Sequence, residues 1–77
     1  NTSMGNNVIV DIHNDHTIKS FDAETGVIKR IRQVGGTIVS GPIISGNTVA
    51  VTVQEPQGKK IKLYRLPSLL IFRTTSI

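Results

Sequence analysis

Seventy-seven residues make one small domain with a formal charge of +4, from nine Lys and Arg against five Asp and Glu. With no cysteine, neither a disulfide nor a thiolate metal site is available. With no Trp, one Tyr and two Phe, aromatic platforms for single-stranded nucleic acid are almost absent, and no apolar run nears the ~18 residues of a membrane-spanning helix.

In chain order, β-branched segments alternate with Gly, Asn, Asp and Pro, and no capped amphipathic helix is visible. Seven strands are predicted: Asn7–His13, Thr17–Phe21, Val27–Gln33, Thr37–Ser45, Thr48–Gln54, Lys60–Leu66 and Leu69–Thr74. The connections "NDH", "DAETG", "VGG", "GN", "EPQGK" and "PS" carry residues suited to turns: Gly supplies positive φ, Asn and Asp bond nearby backbone, Pro fixes φ. "SGN" at residues 45–47 is a tight hairpin signal. The expected fold is all-β, an antiparallel meander of short strands.

The chain also repeats itself. "NNVIVDI" resembles "NTVAVTV", and "TIKSFDAETGVIKR" resembles "KIKLYRLPSLLIFR". Ile18 falls on Ile61, Phe21 on Tyr64 and Arg30 on Arg73, an offset of 43 residues; Val8 falls on Val49, an offset of 41. The longer "QEPQGKK" loop absorbs the difference. A period of roughly 40–45 residues built from four strands is that of a β-propeller blade. The chain then holds three strands of one blade (repeat one, about 6–34) and four of the next (repeat two, about 35–77). The first inner strand is missing unless "NTSMG" supplies it.

"SFDAETGVIKR" resembles the C–D hairpin of the quinoprotein-like (PQQ-like) propeller repeat, with Asp22, Thr25 and Gly26 at the matching turn positions. "GPIISGNTVAV" resembles that repeat's A–B hairpin, and "NDHTIKSFD" its preceding segment, with His16 where the family has Gly. Ser20 replaces the usual Ala, Arg30 stands where the family places its docking Trp, and the second repeat has "RLPSLL" in place of the Asp-x-x-Thr-Gly turn. The resemblance implies two propeller-like blades of a non-enzymatic scaffold type. It implies a periplasmic or envelope-associated location, whereas Met4 as native start would imply the cytoplasm. Such repeats also occur in quinone-dependent dehydrogenases. Two blades, however, cannot enclose a quinone, and no Trp or Cys is present to cover one, so no cofactor is expected.

"DIHNDH", Asp11 to His16, gathers two carboxylates and two imidazoles, but strand alternation scatters them, and a polar hairpin tip is expected in place of a metal site. "VGG" lacks the Lys-Ser/Thr of a phosphate loop and reads as the crossover between blades, followed by an innermost strand in which Ser40 and Gly41 let backbones crowd. The basic residues spread over several strands; "VIKRIR" suits an outermost strand protected from edge pairing. No nucleophile–base–acid series appears, so hydrolytic catalysis is not expected, and the leading expectation is a protein that is not an enzyme.

Propeller geometry places the loops "HNDH", "EPQGK" and "QVGG" at one end and the turns "DAETG" and "LPS" at the other. The expected partner-binding residues are His13, Asp15, His16, Gln33, Glu55, Gln57 and Lys59. Leu69, Leu70, Ile71 and Phe72 are consecutive and apolar, which predicts a strand wanting cover on both faces and hence a partner, at ~1.5–3 kcal/mol for each large side chain buried. The expected function is a protein-binding or scaffold module, completed by self-association or within a larger assembly. The alternatives are a small basic β-protein binding nucleic acid and, third, a fragment of a quinone-dependent enzyme.

Overall fold

A computed structural model of the protein describes the backbone of residues 2–5 and residues 7–77 in full. The strands in chain order are β1 (Thr2–Gly5), β2 (Val8–Asn14), β3 (Thr17–Asp22), β4 (Ile28–Gln33), β5 (Thr37–Ser45), β6 (Thr48–Glu55), β7 (Gly58–Arg65) and β8 (Leu70–Ser76). β2 to β8 are the seven predicted strands, with ends shifted by at most two residues. β1 runs beside β2 at the place that "NTSMG" offered. All pairs are antiparallel, forming one sheet in the order β1-β2-β3-β4 and a second in the order β5-β6-β7-β8.

Local chemistry fixes these elements. In β6, Val49, Val51 and Val53 are at most 1% exposed and alternate with half-buried Thr48, Ala50 and Thr52, the period-2 pattern of a strand with one face on the core. At the β3–β4 turn the Asp22 carboxylate accepts the amides of Glu24 (2.9 Å) and Thr25 (3.0 Å), and Gly26 takes a φ of 75°. The Thr25 hydroxyl accepts the Val27 amide at 3.2 Å, and Lys29 lies 3.8 Å from Asp22. These two backbone donors, and then Lys29, hold the Asp22 carboxyl below its usual range.

The two sheets match in register. Ser20 pairs with Arg30 as Leu63 pairs with Arg73, Phe21 pairs with Ile28 as Tyr64 pairs with Ile71, and a bulge follows Ser20 in one sheet and Leu63 in the other. That is the 43-residue offset. In the inner hairpins the pairing corrects the sequence comparison. Ile9 pairs with Phe21, and Val49 with Tyr64. Val49 therefore corresponds to Ile9, an offset of 40, and not to Val8. The one-residue slip exchanges the two faces of a strand.

This register determines how the sheets stack. Directly paired residues share a face. On the first sheet Val8, Val10, Ile18 and Ser20 face inward; on the second sheet the inward residues are Val49, Val51, Val53 and Tyr64. The second-sheet equivalents of the first group are Thr48, Ala50, Ile61 and Leu63, which face away from the core. Ile18 is 0% exposed and its equivalent Ile61 is 36% exposed. The sheets thus stack with the same sense, unlike face against unlike face. Backbones approach most closely between β1 and β5, then between β2 and β5, so the sheets diverge toward β4 and β8.

Val34, Ile38, Leu66 and Leu69 complete the core. Leu69 corrects an expectation. It lies in the β7–β8 turn with a φ of 55°, fully buried, and is covered by this chain's own core. Leu70, Ile71 and Phe72 follow in β8, 57%, 50% and 41% exposed. The Arg65 guanidinium covers part of Phe72, 4.1 Å from its ring centre. On β5, a Cβ at Gly41 (φ 104°) would lie 2.8 Å from the Ala50 carbonyl oxygen, so the close approach expected of this strand is present.

Candidate recognition cleft

Three connections meet at one end of the sheets: the β2–β3 turn, the β4–β5 crossover and the β6–β7 turn. Backbone bonds tie the first two, with Val34 N–H donating to His16 O (2.9 Å) and Ile38 N–H to Asp15 O (2.6 Å). His16 Nδ1 lies 2.8 Å from the carbonyl oxygen of Gly36, which requires the proton on Nδ1, because a carbonyl only accepts. Gly36 is needed here: a Cβ would sit 2.5 Å from Val53 Cγ1 and 2.7 Å from Gln54 O.

Glu55 joins the crossover to the second sheet. Its carboxylate lies 2.7 Å from Lys62 Nζ and 3.1 Å from Lys60 Nζ, and Lys62 also donates to Val34 O. The side chains of Glu55 and Lys62 are 13% and 11% exposed, so the pair is screened from water and satisfied by several partners. The hydrogen bonds from Lys62 and then Lys60 hold the Glu55 carboxyl below its usual range. Burial, and then the charge of Glu55, push the Tyr64 hydroxyl up, so it stays neutral.

These groups border an open cleft of about 710 Å³. Of the residues expected at this end, His16, Gln33 and Glu55 line it. Gly35, Gly36, Thr37, Gln54 and Pro56 line it as well. His13, Asp15, Gln57 and Lys59 are exposed outside that lining. His13 belongs to β2, not to the turn, and its Nδ1 meets Lys19 Nζ at 3.2 Å on the outward face of the first sheet, where Lys19 also sits 5.2 Å over Phe21. Alternation along β2 carries it away from the cleft. Lys62, which anchors Glu55 and the crossover, stands in the sequence as one of several scattered cations. The signal was its place two residues before Tyr64, on the core-facing parity of β7.

Chemically the cleft offers amides, carbonyls, an imidazole and a carboxylate paired with two lysines. Among the described residues no group of three or more His, Cys, Asp or Glu is placed to hold a metal ion; within "DIHNDH", His13 meets Lys19 and His16 meets the Gly36 carbonyl. The cations are dispersed too. Lys29 pairs with Asp22, Arg30 donates to the carbonyl of Lys29 (2.9 Å), and Arg32 Nε donates to Leu69 O (3.2 Å) across the sheets. Among the described residues no helix is long and apolar enough to cross a membrane. In comparison with known proteins, no family model and no curated protein matches this sequence.

Proposed function

We propose that the protein is a non-catalytic binding or scaffold module, made of two propeller-like blades that are incomplete alone. The observation that carries this reading is the distribution of large apolar side chains. Ile28 and Ile31 on the first sheet and Ile43 and Leu70 on the second are 50–64% exposed, all on outward faces. Fully burying an exposed large apolar side chain stabilises by ~1.5–3 kcal/mol, so covering residues that are already about half buried stabilises by roughly half of that each. The resemblance to the PQQ-like repeat is supported by two consecutive four-stranded meanders that share the register and bulge of their last hairpin and gather connections at one end.

Nucleic-acid binding has less support, because the cations are spread among Asp22, Glu55, Phe21 and Phe72 and do not converge. The test is a titration of the dilute folded protein with an environment-sensitive apolar dye. Saturable binding that drops in Ile43→Ser and Leu70→Ser variants is expected. A folded protein that leaves the dye unchanged contradicts the reading.

A further inference from the structure

We propose that the outward face of the second sheet docks the outward face of the first sheet on another copy of this chain, head to tail, and that repetition closes a ring. This rests on the binding-module reading above and names its partner.

The chain already makes this interface once, internally. The inward face of the first sheet, with Val10, Ile18 and Ser20, receives the inward face of the second, with Val49, Val51 and Tyr64. By register, the outward face of the second sheet is the counterpart of the first of these: Ala50 stands for Val10, Ile61 for Ile18 and Leu63 for Ser20. The outward face of the first sheet is the counterpart of the other: Ile9 stands for Val49, Phe21 for Tyr64 and Ile28 for Ile71. One molecule thus carries, unused, both halves of a contact that it has already formed. A second copy supplies the half that each free face lacks, and two like faces do not.

The free faces are apolar where the internal interface is apolar. Ile43 pairs with Ala50, and Ala50 with Leu63, to make one row across the second sheet. Ile9, Phe21 and Ile28 make the row across the first. Toward the cleft end the match is more polar, because Asp11 stands where Val51 stands, and a bulge of His13 and Asn14 takes the place of Val53. The contact between copies is therefore weaker than the internal one, and assembly is concentration-dependent. A contact between unlike faces propagates, giving a ring if the rotation closes and a filament if not. The sheets come closest at β1 and β5 and diverge toward β4 and β8, so each step adds a wedge that turns the same way. That geometry favours closure.

Sedimentation equilibrium over a concentration series tests this, with the wild type, Ile61→Glu on one face and Phe21→Glu on the other. Ile28→Glu, at a residue 50% exposed, repeats the second arm if Phe21→Glu unfolds. The wild type is expected to rise from monomer to a fixed multiple of its mass. Each variant alone should remain monomeric, with self-association weakened about tenfold or more. A one-to-one mixture of the two variants should form a dimer and nothing larger, because it holds one intact pair of unlike faces.

A variant that still dimerises alone would show like faces pairing and would overturn the proposal. Unbounded growth of the wild type overturns the ring. A wild type that stays monomeric at every concentration while its faces still bind the apolar dye overturns the second copy as partner and leaves the binding-module reading standing. A monomer that binds no dye removes both.

Discussion

Ile18 and Ile61 occupy the same position in two copies of one hairpin, yet Ile18 is sealed and Ile61 is 36% exposed. The first sheet turns that face to the second sheet; the second sheet turns it outward. Phe21 and Tyr64 show the reverse, since Tyr64 is buried at 3% exposure and Phe21 faces outward, partly covered by Lys19. Strand pattern alone therefore does not decide burial here. Stacking sense does, and a stack with one sense always leaves two unlike faces uncovered.

The largest effect that would sharpen this contrast is on stability. Ile18→Ala removes side-chain volume from a closed core and is expected to cost about 2–5 kcal/mol. Ile61→Ala in the dilute monomer should cost far less. Urea denaturation of both variants checks this, and equal losses would break the contrast.

Next comes the crossover that sets the stacking. Gly36→Ala forces a Cβ against Val53 and the Gln54 carbonyl, and about 1–3 kcal/mol of destabilisation is expected from the same measurement. Gly26→Ala, where nothing lies within 4 Å, meets only the strain of a φ of 75°, about 1 kcal/mol. If Gly36→Ala proved the milder change, the crossover would not be held where the structure places it.

The third effect depends on pH. Glu55 is held below its usual range by Lys62 and Lys60 in the folded protein. Its contribution to stability is fully present above the ordinary glutamate range and is lost as pH falls through the lowered folded value. Glu55→Gln should lower stability at neutral pH and flatten the acid side of a stability–pH curve measured by urea unfolding. An unchanged acid slope would remove Glu55 from the account.

The smallest effect concerns Ser20. Its hydroxyl is fully buried with no hydrogen-bond partner among the described residues. Ser20→Ala relieves an unsatisfied polar group and should be neutral or stabilising by up to ~1 kcal/mol, read from the denaturation midpoint.

Much of the fold was legible in the residues. Turn chemistry at "DAETG" and β-branched alternation in "TVAVTV" placed the strands to within one or two residues. The face assignment was not legible, because "NNVIVDI" matches "NTVAVTV" better at the offset of 41 than at the offset of 40 that the pairing shows, and that single step inverts it. Leu69 was misread for a related reason. In "LLIF" nothing marks the first Leu as a turn residue with positive φ, and only the packing around it shows that it faces the core. For the cleft, loop order was enough to bring His16, Gln33 and Glu55 together, since alternate hairpin ends must share a side. The role of Lys62 needed the tertiary contact with Val34 and Glu55.

The stacking sense is tested most directly by thiol reactivity in a chain that has no cysteine of its own. Ile18→Cys and Ile61→Cys variants would be labelled at low protein concentration under native conditions. The account predicts that the thiol at position 61 reacts rapidly in the folded protein, while the thiol at position 18 reacts only as fast as the protein unfolds. Equal rates, or the reverse order, would contradict it.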